Sequence, residues 1–216
     1  MDHSLYSLKK VKLQKDSFKL NINKFEVHRG AIYLISGKIN SGKSLLLNIL
    51  NNKVNYSGDV AYEGVELKNV NKRTYLNEVC FISGLPFSFK TVESYIQNYI
   101  RRYDAIKKKK KDIKALIRRF GAIDLLDKKI YSLSSSQKRL VSLIAGIAAD
   151  SKVLIIDDLD SYLTTEELKI LKSILKKKAS YDGVTIICSC RYNYNFDRFA
   201  SINITLDSGR IIRVRS

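Results

Sequence analysis

The chain has 216 residues, 45% of them hydrophobic, which is enough for one sizeable α/β domain or a main domain with a small subdomain. Its 39 Lys and Arg against 21 Asp and Glu give a formal net charge of +18; this either favours an anionic partner (nucleic acid, an anionic lipid surface, acidic protein) or is spread over solvated faces. No apolar run approaches the ~18 residues of a membrane-spanning helix, the stretch Met1–Tyr6 is not a signal peptide, and Cys80, Cys188 and Cys190 lack metal-ligand spacing and read as structural thiols of a reducing cytosol.

Apolar residues alternate from Leu5 to Leu13, with a phase shift at Lys9-Lys10, and Phe18, Leu20, Ile22, Phe25 and Val27 follow in strand-like spacing. Two or three antiparallel strands are expected there. Ala31–Ser36 reads as a short buried strand and Leu45–Leu50 as the apolar start of a helix. Between them Gly37 to Ser44 reads G-K-I-N-S-G-K-S, the pattern of a phosphate-binding loop. Gly37 and Gly42 let the backbone approach phosphate oxygens where a Cβ would clash. Unpaired N–H groups at the helix start point at the anion, with Asn40, Ser41 and Leu45 completing the loop. Lys43 supplies a positive charge for the β and γ phosphates, and the Ser44 hydroxyl is placed to ligate Mg²⁺. ATP with Mg²⁺ is the expected ligand.

Further along, Asn51–Tyr56 reads as a helix end and loop, Gly58–Leu67 as a hairpin, and Val79–Ile82 as a second buried strand before the loop at Pro86. Thr91 to Leu126 is helical in pattern, with Thr91 as N-cap, an apolar face at Val92, Tyr95, Ile96, Tyr99 and Ile100, and a cap at Gly121. Inside it lies Lys107–Lys111, flanked by Arg101, Arg102, Arg118 and Arg119. A new helix is expected from Leu133 through Ile147. Val153–Ile156 is a buried strand ending in Asp157 and Asp158: Asp157 can hold the Mg²⁺ shell, and Asp158 can orient or polarise an attacking water. Lys43 and Asp158 are the expected catalytic residues. Thr164–Glu167 opens a helix with an N-cap hydroxyl and acids in its first turn. Val184–Ser189 is another buried strand, and Ile202–Val214 forms two closing strands around Ser208-Gly209. Strands alternating with helices imply an α/β fold with a mostly parallel sheet and nucleotide at the strands' carboxyl ends.

Leu133-Ser-Ser-Ser-Gln137, just before the Val153 strand, resembles the L-S-G-G-Q signature of ATP-binding-cassette (ABC) ATPases. Gly58–Gly64 looks like that family's hairpin after the phosphate loop, Phe87–Ser94 like the entry to its helical subdomain, and Asp157–Leu163 like its second acidic motif. The resemblance spans essentially the whole chain. It implies a P-loop NTPase of ABC type over residues 1–216, with a parallel core, an antiparallel β subdomain and a helical subdomain at about 88–140. It also implies a head-to-tail dimer, homomeric or heteromeric, in which ATP lies between one subunit's phosphate loop and Ser134, Ser136 and Gln137 of the other. Such subunits dock on a transmembrane permease at the cytoplasmic face of the cell membrane. In compact length and in the run before the signature, the chain is similar to the haem-exporter ATPases of cytochrome c maturation, with ABC-2-type exporter subunits an equal contender.

Several family positions are changed here. Ser135 and Ser136 replace the signature glycines, and Gly84 stands where a glutamine follows the second strand. Asp158 replaces the glutamate after Asp157, and Thr164 an acid. Cys190 or Arg191 stands where a histidine ends the Val184 strand. Phe18 is the candidate aromatic for stacking on adenine. Binding residues are intact and hydrolytic ones altered, so slow hydrolysis is expected. One alternative is a nucleotide-binding regulatory or scaffold protein. The other is a nucleic-acid-associated ABC protein, disfavoured by the absence of a base-stacking pattern. The basic stretch from Arg101 to Arg119 is either a lipid or partner contact or a solvated helix face.

Overall fold

The computed structural model describes residues 4–103 and 110–216. Among the described residues, ten strands and six α-helices follow in the order β1 (Tyr6–Lys15), β2 (Phe18–Val27), β3 (Ile32–Ser36), α1 (Lys43–Leu50), β4 (Ser57–Tyr62), β5 (Val65–Glu66), α2 (Lys72–Glu78), β6 (Val79–Ile82), α3 (Val92–Ile100), α4 (Lys110–Arg119), α5 (Ser135–Ala148), β7 (Val153–Ile156), α6 (Thr165–Asp182), β8 (Thr185–Ser189), β9 (Ile202–Asp207) and β10 (Arg210–Arg215). The early alternation resolves into two strands. At Lys9-Lys10 the β1–β4 register shifts and Lys10 takes φ +51, which is the physical content of the phase shift seen in the sequence.

Two sheets form. A four-stranded antiparallel sheet runs β2-β1-β4-β5, and a six-stranded sheet runs β10-β9-β3-β8-β7-β6, parallel from β9 to β6 with β10 antiparallel at its edge. Every residue of β3, β7 and β8 is buried, and the side chains alternate between two cores. Ile32, Leu34, Leu154, Ile156, Ile186 and Cys188 face the core shared with α3, α5 and α6. Tyr33, Ile35, Val153, Ile155 and Ile187 face the one shared with α1 and the antiparallel sheet. Helices on one face and a second sheet on the other leave the strand ends as the accessible part of the parallel sheet.

The caps form where the residue types dictate. Thr91 Oγ1 accepts from Ser94 N–H, and Ser134 and Thr164 each form a reciprocal capping box with Gln137 and Glu167. Past α4, Gly121 at φ +63 donates to Arg118 O while Ala122 N–H reaches Ile117 O, the paired closure of a Schellman motif. α2 was not foreseen; Asn71 starts it by accepting from Arg73 and Thr74 N–H. Most of the Lys107–Lys111 run lies outside the described residues.

Candidate functional site

The carboxyl end of β3 delivers the chain into the phosphate loop. Asn40 (φ +62) and Gly42 (φ +102) turn the backbone through left-handed conformations, and Gly42 starts α1 with no side-chain cap and no acid in the first turn. The helix's first N–H groups are therefore left for an anion. Lys43 is buried, and its Nζ donates to Gly37 O (2.6 Å) and Lys38 O (2.9 Å), which places the ammonium across the mouth of the loop. Ser41 Oγ is buried with no hydrogen-bond partner.

The two glycines have an additional reason to be glycine. A Cβ on Gly37 would lie 2.2 Å from Leu206 O, and one on Gly42 would lie 3.0 Å from the Phe18 ring. On their Cβ side the loop packs against protein, so a side chain there would clash with or without bound phosphate. From behind, the Ser208-Gly209 turn (φ +45 and +79) donates its Gly209 N–H to Ser41 O at 3.0 Å, and Gly209 O accepts from Asn21 N–H at 2.8 Å. β9, β10 and β2 thus brace the loop.

Asp157 and Asp158 follow β7, beside the end of β8. Ser189, fully buried, donates its hydroxyl to Asp157 Oδ1 (2.6 Å) and accepts from Asp158 N–H (2.8 Å). Arg139 of α5, also buried, donates from Nη2 to Asp157 O (2.7 Å) and Asp158 O (2.8 Å). Asp158 sits at φ +48. Burial, then the neighbouring Asp157, pushes the Asp158 carboxyl above the ordinary carboxylate range, against the opposing Lys43 charge; Asp160 adds to the rise and Arg191 opposes it.

A cavity of about 580 Å³ joins these pieces, lined by Lys15 to Phe18, Ile39 to Leu45, Asn48, Asp158 and Arg191. Of the expected ligand set, Asn40, Ser41, Gly42, Lys43, Ser44, Leu45 and Asp158 line it. Gly37 and Asp157 do not; Asp157 faces an adjoining cleft of about 90 Å³ with Gly84 and Arg139. Phe18 is half-buried against Gly42, at the rim. Of the two candidates at the end of β8, Arg191 lies on the cavity, while Cys190 is buried with its thiol pushed up to about 12 by burial. Ser134 and Ser136 are exposed and Gln137 is half-buried; none of the three lines the cavity. They stand instead at the start of α5, where the Ser134 and Ser136 hydroxyls lie 3.1 Å apart.

A nucleotide fits this arrangement, since the unpartnered Ser41 hydroxyl, the uncapped α1 N–H groups and the Lys43 ammonium converge on one cavity. Mg²⁺ fits it with few protein ligands: the exposed Ser44 hydroxyl and the Asp157 carboxylate are oxygen donors, and among the described residues no cluster of three acidic, His or Cys side chains forms a complete cage. Ser189 and Arg139 went unforeseen. For Arg139 a signal existed: it precedes Leu143 by four and Ile147 by eight, so a charge falls on the helix's core face. Ser189 gave none beyond its strand.

This fold and site define a P-loop nucleotide-binding cassette. The sequence profile of the ABC transporter family matches residues 20–161, and the chain belongs to that family, as an ABC-type ATPase. The chain is 28% identical over 177 residues to a cytochrome c biogenesis ATP-binding export protein, CcmA, of Rickettsia felis, covering 82% of this chain and 86% of that protein. It is also 28% identical over 203 residues to a methionine import ATP-binding protein, MetN, of Carboxydothermus hydrogenoformans, covering 87% and 58%. Among solved structures, the ATP-binding subunit of an ABC transporter superposes with a TM-score of 0.86 at 18% identity, covering 99% of this chain and 90% of that one. A dimeric cassette bound to ADP and Pi superposes with a TM-score of 0.80 at 18% identity, covering 98% of each.

Proposed function

We propose that residues 1–216 form one nucleotide-binding domain, with its helical part at about 88–140, that binds Mg-ATP and drives a membrane permease by closing head-to-tail on a second cassette. The observation that carries this is the cavity in which Asn40 to Leu45 face Asp158 and Arg191. In this reading Lys43 and the α1 N–H groups bind the phosphates, Ser44 and Asp157 hold Mg²⁺, and Ser134, Ser136 and Gln137 meet the nucleotide of the second cassette. Mg²⁺ bound there would neutralise charge on the β and γ phosphates. Asp158 orients the attacking water, and its short side chain supports slow turnover.

A permease partner is supported by a cluster of exposed rings, Phe87, Phe89 and Tyr131, with centroids 5.5 and 5.6 Å apart in sequence. Exposed Arg101, Arg102 and Arg118 support contact with anionic lipid at the cytoplasmic face of the membrane. The relatives' names divide between export and import, and similarity to the CcmA protein supports export of a small molecule such as haem. ATP binding and hydrolysis by the purified chain, with Lys43→Ala as control, test the reading. Micromolar Mg-ATP binding that weakens at least tenfold in K43A is expected, and no binding by the unmodified chain would overturn it.

A further inference from the structure

Arg139 is a charged side chain with 2% exposure, on a helix whose residues from Arg139 to Ala148 are all buried. Burying a guanidinium is costly unless its protons are used, yet no carboxylate oxygen takes it. One nitrogen, Nη2, serves two successive backbone carbonyls, Asp157 O at 2.7 Å and Asp158 O at 2.8 Å, and Nε is buried without a partner. Two successive carbonyls converge on one donor because the residue between their peptide planes, Asp158, is left-handed at φ +48. A non-glycine residue holds that conformation only when its surroundings enforce it.

We infer that Arg139 is a positioning residue: by clamping the two peptide planes that flank the Asp158 Cα, it aims the Asp158 carboxylate into the phosphate-loop cavity. The inference rests on the proposed nucleotide site. Ser189 fixes the N–H side of Asp158 from β8, and Arg139 fixes the carbonyl side from α5. Together they determine the direction of a side chain too short to correct a misplaced backbone. Arg139 itself lines the small cleft with Gly84 and Asp157 rather than the phosphate-loop cavity, so it acts on the reaction through Asp158 and not on the nucleotide.

The test compares Arg139→Met, which keeps most of the packing and removes the donor, with Arg139→Lys, which restores an N–H donor of similar reach. Expected are a fall in kcat of tenfold or more in R139M, recovery to within about threefold of the unmodified protein in R139K, and ATP affinity unchanged in both. Equal kcat loss in both variants, or no loss in R139M, would overturn the inference. A parallel loss of ATP affinity would overturn it too, because Arg139 would then support the binding site at large. Absence of ATP binding by the unmodified protein would instead sink the nucleotide-site reading. A second measurement is independent of turnover: amide hydrogen exchange in the full chain with Mg-ATPγS. R139M is expected to speed exchange at Asp158 and Leu159 while leaving the middle of α5 protected. Faster exchange along α5 with none at Asp158 and Leu159 would assign Arg139 to helix packing alone.

Discussion

The Ser189 hydroxyl touches both members of the acidic pair, as donor to Asp157 Oδ1 and acceptor from Asp158 N–H. Ser189→Ala leaves a half-buried carboxylate oxygen and a backbone N–H without this partner, and a loss of about 1–3 kcal/mol in unfolding free energy is expected by urea titration. A loss under 0.5 kcal/mol would show that neither group depends on it. Asp158 gives a pH-dependent counterpart. Its carboxyl pKa is raised in the folded chain, so as pH climbs past the ordinary 3.8 the unfolded chain gives up this proton first. The folded chain then holds more protons, and this group's contribution to stability falls with rising pH until the folded carboxyl ionises as well. Asp158→Asn removes that penalty and tolerates a left-handed backbone. D158N is expected to match the unmodified protein near pH 3, to exceed it in urea midpoint at pH 7, and to lose ATP hydrolysis. A lower midpoint at pH 7 would contradict burial as the cause of the shift.

Among the elements, α5 has the most to hold together. Its N-terminus carries the Ser134–Gln137 capping box, its second turn carries Arg139, and its fourth lies against β6. The approach to β6 is set by Gly146, where a Cβ would fall 2.2 Å from Ile82 Cδ1 and 2.6 Å from Cγ1. In an unhindered helix Gly→Ala stabilises by about 1 kcal/mol. Here Gly146→Ala overpacks the core, and a net loss of about 1–3 kcal/mol is expected by thermal or chemical unfolding, partly recovered by adding Ile82→Val. A stabilised G146A would mean that Ile82 repacks freely. Ser134→Ala loses the cap, at about 0.5–2 kcal/mol. The caps at Thr91 and Thr164 and the alternation along the strands were legible because they depend on residues a few positions apart. α2 was not legible: it is a short polar helix whose single buried residue, Tyr75, takes its place through the Tyr6 hydroxyl and Leu50 O.

For the molecule as a whole, the parallel sheet presents the phosphate loop and the acidic turn at the same end, while the start of α5 stands outside the cavity. In the proposed reading, a second cassette brings its Ser134, Ser136 and Gln137 to the nucleotide held here. Sedimentation velocity should therefore show D158N shifting from monomer to dimer on adding Mg-ATP, with the Lys43→Ala variant unmoved. Dimers that form equally without nucleotide would separate association from ATP binding.

The sequence by itself determined the glycine-rich turn between β3 and α1, the order of strands and helices apart from α2, the caps at Thr91, Gly121 and Thr164, and the acidic residues at the end of β7. Each follows from rules that act over one turn or a few strand positions: phosphate geometry, side-chain periodicity and the unpaired N–H groups of helix starts. Tertiary structure alone decided what surrounds those residues. Ser189 reaches Asp157 across 32 positions because β7 and β8 are parallel neighbours ending side by side, and Arg139 reaches it across 18 because α5 packs beneath that end. Likewise Leu206 and Phe18 take up the space beside Gly37 and Gly42 because β9 and β2 close on the loop. Such partners come from strand order and helix packing, which no local pattern encodes, so candidate ligating residues can be proposed from the chain while the groups packed around them cannot.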